Sequence, residues 1–146
     1  MHYFSASGIG RIFIVRLDPG DYLLENIVKL VEKEGIKDGV VVSAIGTLDK
    51  CVLHMVKTTG YPPVEYFKRW ENTPLELALV VGIIADGEPH LHAVVSDSEK
   101  AYAGHLEKGC RVLYLAEIII IELKGANMTR ILDEKGILRL TKREEE

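Results

Sequence analysis

Only one stretch of this chain repeats its apolar residues at helical spacing, which limits the fold to a sheet carrying a single helix. Leu23, Leu24, Ile27, Leu30 and Val31 recur on one side, with Glu25, Lys29, Glu32 and Lys33 on the other. Asp21 is the expected N-cap, and Gly35 fits the left-handed position after the last turn, with Ile36 packing back on it. Before the helix, Arg11 to Leu17 is β-branched and apolar on both faces, as a central strand is, and Asp18-Pro19-Gly20 ends it. From Gly39 onward the reading is strand after strand: Val40 to Ile45, Cys51 to Lys57, Val64 to Trp70, Leu75 to Ala85, His90 to Ser96 and Arg111 to Lys124. Gly, Pro, Asn or Asp bound each of them, as in Gly60-Tyr61-Pro62-Pro63 and Asn72-Thr73-Pro74. The expected fold is α+β, a mainly antiparallel β-sheet packed with one main α-helix.

The tail adds a hairpin, Arg130 to Leu132 pairing with Ile137 to Leu140 across Asp133-Glu134-Lys135-Gly136, then a charged, solvated end at Lys142 to Glu146. No repeat or linker divides the chain, so residues 1–146 are read as one domain. Ile118-Ile119-Ile120-Ile121 presents aliphatic side chains to both faces of its strand, whereas one helix covers one face. A partner subunit is the expected cover, and these four isoleucines are the expected interface.

Composition narrows the setting. A formal charge of −4, with basic residues scattered, gives a weak footprint for nucleic acid. Two cysteines, Cys51 and Cys110, are too few for a secreted disulfide scaffold, and no signal peptide or apolar run of membrane-spanning length is present. A cytoplasmic protein without a membrane partner is expected. Glutamine is absent, asparagine is confined to Asn26, Asn72 and Asn127, and Glu, Lys, Ile and Val abound, a bias that goes with growth at high temperature.

Chemistry concentrates between Asp86 and Gly109, which holds three of the five histidines. His90 and His92 stand at i and i+2, on one face of an extended strand, and His105 returns after a short connection. Three imidazoles so placed suit zinc or another divalent transition metal with one position open; the plainer alternative is hydrogen bonding across a sheet or subunit boundary. His54 joins them only if the strand order allows. Cys110 is either a further ligand or a small buried hydrophobe. Asp86 and Glu88 flank a turn, which accounts for them locally, but Asp86 is also placed to support a ligand histidine. Glu117 is the one acid of an aliphatic strand: it pairs with Arg11 or Arg16 at an interface, or stands behind the metal ligands. No phosphate-cradling loop or nucleophile elbow is recognisable.

Arg11 to Leu17, the single helix, Val41-Val42-Ser43-Ala44-Ile45-Gly46-Thr47-Leu48, Leu75 to Gly82, Asp86-Gly87-Glu88-Pro89-His90-Leu91-His92, Ala103-Gly104-His105-Leu106 and Ala116-Glu117-Ile118-Ile119 occur in an order that resembles the plants-and-prokaryotes-conserved (PPC) domain over about residues 8–124. The resemblance implies an α+β homotrimer. It also implies DNA association, since plant members follow AT-hook motifs and stand-alone prokaryotic members are labelled predicted DNA-binding proteins. Family members often read Gly-Gly-His where Ala103-Gly104-His105 stands, and no Arg-Gly-Arg-Pro element is present. Two functions remain open: a homotrimeric DNA-associated regulator that binds duplex weakly and salt-sensitively, and a metal-containing enzyme or small-ligand binder using the histidine face.

Overall fold

In the computed structural model, which describes residues 1–143, the chain runs β1 (Gly8–Leu17), α1 (Leu23–Glu34), β2 (Gly39–Val56), β3 (Glu65–Ala85), β4 (Glu88–Ser96), β5 (Ala101–Leu106), β6 (Arg111–Lys124), β7 (Met128–Leu132) and β8 (Leu138–Lys142). The first six strands form a mostly antiparallel sheet in the order β1-β6-β2-β3-β4-β5, and β7 and β8 form a separate hairpin. Among the described residues no helix is long and apolar enough to cross a membrane.

Two long strands decide the architecture. β2 pairs with β6 from Gly39 to Lys50, then changes partner and pairs with β5 at Leu53 and His54. That exchange closes β2, β3, β4 and β5 into a ring, with β6 and β1 extending the sheet beyond it. The sequence suggested breaks in both long strands. Instead, Asn72-Thr73-Pro74 forms a bulge in β3, where the register jumps from Lys50↔Glu71 to Leu48↔Leu75 and Asn72 takes a left-handed φ of 48°. A bulge accommodates proline without costing the sheet its continuity.

Alternation along the strands separates a core from an open face. Leu48, Leu53, Leu75, Leu77, Leu91, Leu106, Ile118 and Ile120 point inward and form one core with Leu23, Ile27 and Val31 of α1. Ile118 and Ile120, 1% and 0% exposed, therefore belong to the chain's own core, leaving Ile119 and the half-buried Ile121 as the members of that run available for contact. The helix ends as its sequence suggests: Gly35 is left-handed, its N–H reaches Glu32 O, and the Ile36 N–H reaches Val31 O. Its start differs. Asp21 caps no helical amide; its carboxylate accepts the Asp18 N–H, and the Leu23 N–H is satisfied by Cys110 O, just before β6.

The β7–β8 hairpin is tied to the sheet through Asp38, a buried carboxylate that accepts the Met128 N–H at 3.0 Å. Met128 and Ala126 pack with Ala85, Phe4 and Leu140 in a second small core. Lys142 closes the hairpin and Arg143 pairs with Asp86, while the end of the expected charged tail, Glu144 to Glu146, lies outside the described residues.

Candidate metal and ligand site

The ring of strands brings four histidines together on its outer surface. His105 on β5 is in register with His54 on β2 at one side and with His92 on β4 at the other. Paired residues point to the same face, and His90 shares the face of His92 by the two-residue repeat. Ring centroids lie 4.4 Å apart for His54 and His105, 5.0 Å for His90 and His105, 5.5 Å for His90 and His92, and 5.7 Å for His92 and His105. His90, His92 and His105 lie side by side on this face, and His54 stands beside them because β2 exchanges β6 for β5.

The close approach of β5 to β2 depends on Gly104. A Cβ there would stand 2.7 Å from the His54 carbonyl oxygen, a backbone atom that cannot turn aside. Glycine lets the strands close and lays His105 against His54.

Glu107, two residues beyond His105 on the same side, joins the pair. Its Oε1 lies 2.5 Å from His54 Nδ1 and 2.8 Å from His105 Nδ1, and Glu65 Oε1 stands 3.6 Å from His54 Nε2. One carboxylate oxygen accepting both Nδ1–H groups fixes the tautomers and leaves His105 Nε2 free to ligate. The Nδ1 atoms and the carboxylate are also close enough to surround an ion themselves: His54, His105 and Glu107 form a group that could hold a metal. Glu107 is not among the site residues expected from the sequence, although its two-residue spacing from His105 is a usable signal.

His90 and His92 are both shifted toward the neutral form. Burial is the main cause, because the walls strip part of the hydration from rings that remain reachable from outside, and the neighbouring charges of His105 and His54 add to it. Arg130 acts on His90 in the same direction. Neutral imidazoles are the ligating form.

These side chains line a cleft of about 900 Å³. One wall is Met55, Val56 and Pro63; the opposite wall is the β7–β8 hairpin, contributing Arg130, Ile137 and Leu138. The Arg130 guanidinium donates to Glu88 O and Ile83 O, each at 2.9 Å. Burial lowers its pKa against the opposing influence of Glu88. Asp86 lines the rim at the turn into β4, paired with Arg143 at 2.5 Å, and so contacts another cation rather than a histidine. Glu117 lines no part of the cleft: it is exposed on β6 beside Arg16 and Ile45, while Arg11 pairs with Glu34 and Glu122, and Arg16 with Asp18. Cys110 is buried against Cys51, Sγ to Sγ 3.8 Å, away from the ligand face.

Solved structures share this fold along almost the whole chain. A metal-containing protein of Archaeoglobus fulgidus is 26% identical, with 97% of this chain and 100% of that one covered at a TM-score of 0.82. A plant- and prokaryote-conserved protein of Pyrococcus horikoshii is 27% identical, with 99% and 100% covered at a TM-score of 0.81. A proposed DNA-binding protein of Bacteroides thetaiotaomicron, 20% identical with 94% and 96% covered, has the same fold at a TM-score of 0.78. The bifunctional protein GlmU of two Synechococcus strains is 28% identical over 113 and 117 residues, 77% and 80% of this chain but only 17% and 18% of those proteins. Residues 4–124 match the profile of the Plants and Prokaryotes Conserved (PCC) domain, and the chain belongs to that family.

Proposed function

We propose that the protein holds a divalent transition metal, zinc or a chemically similar ion, in the histidine cleft and presents it to a small ligand. The observation that carries this reading is the convergence of His54, His90, His92, His105 and Glu107 on one face of the strand ring. Imidazole nitrogen and carboxylate oxygen are the donors such an ion takes. Two ligand sets share His105. In one, His90, His92 and His105 bind the ion while Glu107 orients His105 through Nδ1. In the other, His54, His105 and Glu107 are the ligands. Three protein ligands leave a position for water or an anion. The description of the Archaeoglobus relative as metal-containing supports the reading. Metal analysis of untagged protein, followed by zinc affinity of His92→Ala and His54→Ala, tests it. A loss confined to His92→Ala selects the first set, and one confined to His54→Ala selects the second. Wild-type protein that takes up no zinc, cobalt or manganese ends the proposal.

We propose further that the protein is a cytoplasmic homotrimer. Support for the assembly comes from the open face of the sheet, where Ile12 and Ile14 of β1, Ile119 of β6, Ile45 of β2 and Val81 of β3 are exposed together. Cys51 and Cys110 as free buried thiols suit a reducing compartment.

DNA association is the second reading, favoured by the description of the Bacteroides protein of the same fold. The surface argues for weak binding. Arg11, Arg16, Lys50, Arg111, Arg139 and Arg143 are already paired with carboxylates, which leaves fewer cations for phosphate. A salt titration of duplex binding tests this, and tight, sequence-selective binding at physiological salt would make DNA the leading reading.

A further inference from the structure

We infer that the cleft binds a small monocarboxylate with an apolar body, its carboxylate held by Arg130. This rests on the reading of the cleft as a ligand site and adds the class of ligand.

Arg130 differs from the arginines that carry ion pairs on the surface. Arg11, Arg16, Arg111, Arg139 and Arg143 all meet carboxylates, whereas among the described residues Arg130 forms no ion pair. Its guanidinium is part-buried in the wall of the cleft, anchored by bonds to the backbone carbonyls of Ile83 and Glu88. Ile83 is in register with His90, so the cation sits at the level of the histidines. A guanidinium has more N–H donors than those two bonds use, arranged in a fork that matches a carboxylate. Glu88 is the acid whose charge reaches it, and it lies beyond ion-pairing distance. Held in this way, Arg130 has its position fixed before any ligand arrives.

The surroundings set the ligand's charge and shape. Among the described residues Arg130 is the only lysine or arginine lining the cleft, against Glu65, Asp86 and Glu88 in the same lining and Glu107 bonded to the histidines. In the metal-free cleft a single carboxylate matches the guanidinium fork, and Glu65 and Glu88 stand against a second negative charge on the ligand, Asp86 being already paired with Arg143. Val56, Pro63, Ile137 and Leu138 give apolar contact to the rest of the molecule, and the volume suits a small metabolite. Arg130, Ile137 and Leu138 belong to the β7–β8 hairpin, beyond residues 4–124 matched by the family profile, so this side of the cleft comes from the C-terminal hairpin.

The test is calorimetric titration of the full chain, zinc-loaded and EDTA-treated, with isocaproate, its neutral amide and isoamyl phosphate, together with the NMR signal of the arginine Nε–Hε groups. Isocaproate is expected to bind saturably, about tenfold tighter than either analogue, and to shift the Arg130 signal. Arg130→Met should reduce the acid to the affinity of the amide. Because Arg130 also bonds two carbonyls, Arg130→Lys is measured as well: it keeps the charge, loses the fork, and should weaken the acid several-fold even if Arg130→Met does not fold. Equal binding of acid and amide, no binding of the acid in either metal state, or undiminished binding by Arg130→Lys overturns the inference. Zinc uptake separates the two proposals. Protein that binds zinc and refuses the acid defeats this inference alone, and protein that binds the acid and refuses zinc defeats only the metal reading.

Discussion

His54 and His105 stack with ring centroids 4.4 Å apart, and the same Glu107 oxygen lies 2.5 Å from one Nδ1 and 2.8 Å from the other. They are 51 positions apart in sequence, and the single register pair His54↔His105 makes them neighbours. The carboxylate between them bonds both rings at once and ties β5 to β2 at this point. Removing it should be felt in both metal affinity and fold.

Glu107→Ala is therefore expected to weaken zinc binding about 10- to 100-fold, the usual effect of losing a group that orients or serves as a ligand. It should also cost about 1–3 kcal/mol of stability, since two part-buried imidazoles lose a charged acceptor. Glu107→Gln keeps one acceptor oxygen and should recover part of the stability. Zinc competition and denaturant unfolding read the two effects separately, and unchanged zinc affinity in both variants would remove Glu107 from the site.

Acidification should destabilise the metal-free protein in two windows. His90 and His92 have folded pKa values below their unfolded ones, so the unfolded chain binds more protons as pH falls below about 6.5, and stability drops from there. Glu122 is held at about 2, chiefly by hydrogen bonds from Arg11. Its contribution is present above the ordinary carboxylate range and is lost as pH falls toward that value. Unfolding free energies from pH 8 to 3 in EDTA should show both declines, and the upper one should flatten in His90→Asn/His92→Asn. An upper decline that persists unchanged in that variant would assign it to other groups.

The parts of this site that could be read in the chain were the local ones. A two-residue repeat places His90 and His92 on one face whatever the rest of the fold does, and the helix declares itself through Leu23, Ile27 and Val31, all of which are buried. What remained hidden depends on pairing between distant segments. His54 joins because β2 changes partners halfway along, and no local pattern marks that change. Asn72-Thr73-Pro74 carries every mark of a strand end, yet becomes a bulge because the same ladder continues on both sides of it. Arg130 looked like an ordinary hairpin residue; its role follows from the packing of Met128 and the Asp38 hydrogen bond, which set the hairpin over the cleft.

Gly104 offers a test of that long-range closure. Gly104→Ala places a methyl group 2.7 Å from the His54 carbonyl oxygen, so β5 must move away from β2. The expected cost is about 1–3 kcal/mol, as for other insertions into close-packed regions, with loss of zinc affinity because His105 moves with its strand. Gly8→Ala, where nothing lies within 4 Å, is the matched control. Equal stability and equal zinc binding for the two variants would show that β5 closure is not what places His105.

Two adjacent isoleucines on β6 separate folding from assembly. Ile120 is 0% exposed and packs in the core beneath α1, whereas Ile119 is 37% exposed and faces outward, in register with Ile14 on β1 and Ser43 on β2. Ile120→Asp gives up about 1.5–3 kcal/mol of apolar burial and adds a carboxylate with no partner, a combined loss that reaches the 5–15 kcal/mol total of a typical domain. The chain is expected to unfold. Ile119→Asp places its charge on the open face, where a monomer can hydrate it, so the fold should survive with a change within about 1 kcal/mol. If three copies bury that face against one another, the same charge is desolvated once per subunit, and assembly should fail while the monomer remains folded. Sedimentation and circular dichroism on wild type and both variants give the answer. A wild-type trimer that Ile119→Asp converts into folded monomer locates the interface on this face, and a wild-type protein that sediments as a monomer at micromolar concentration rules the trimer out.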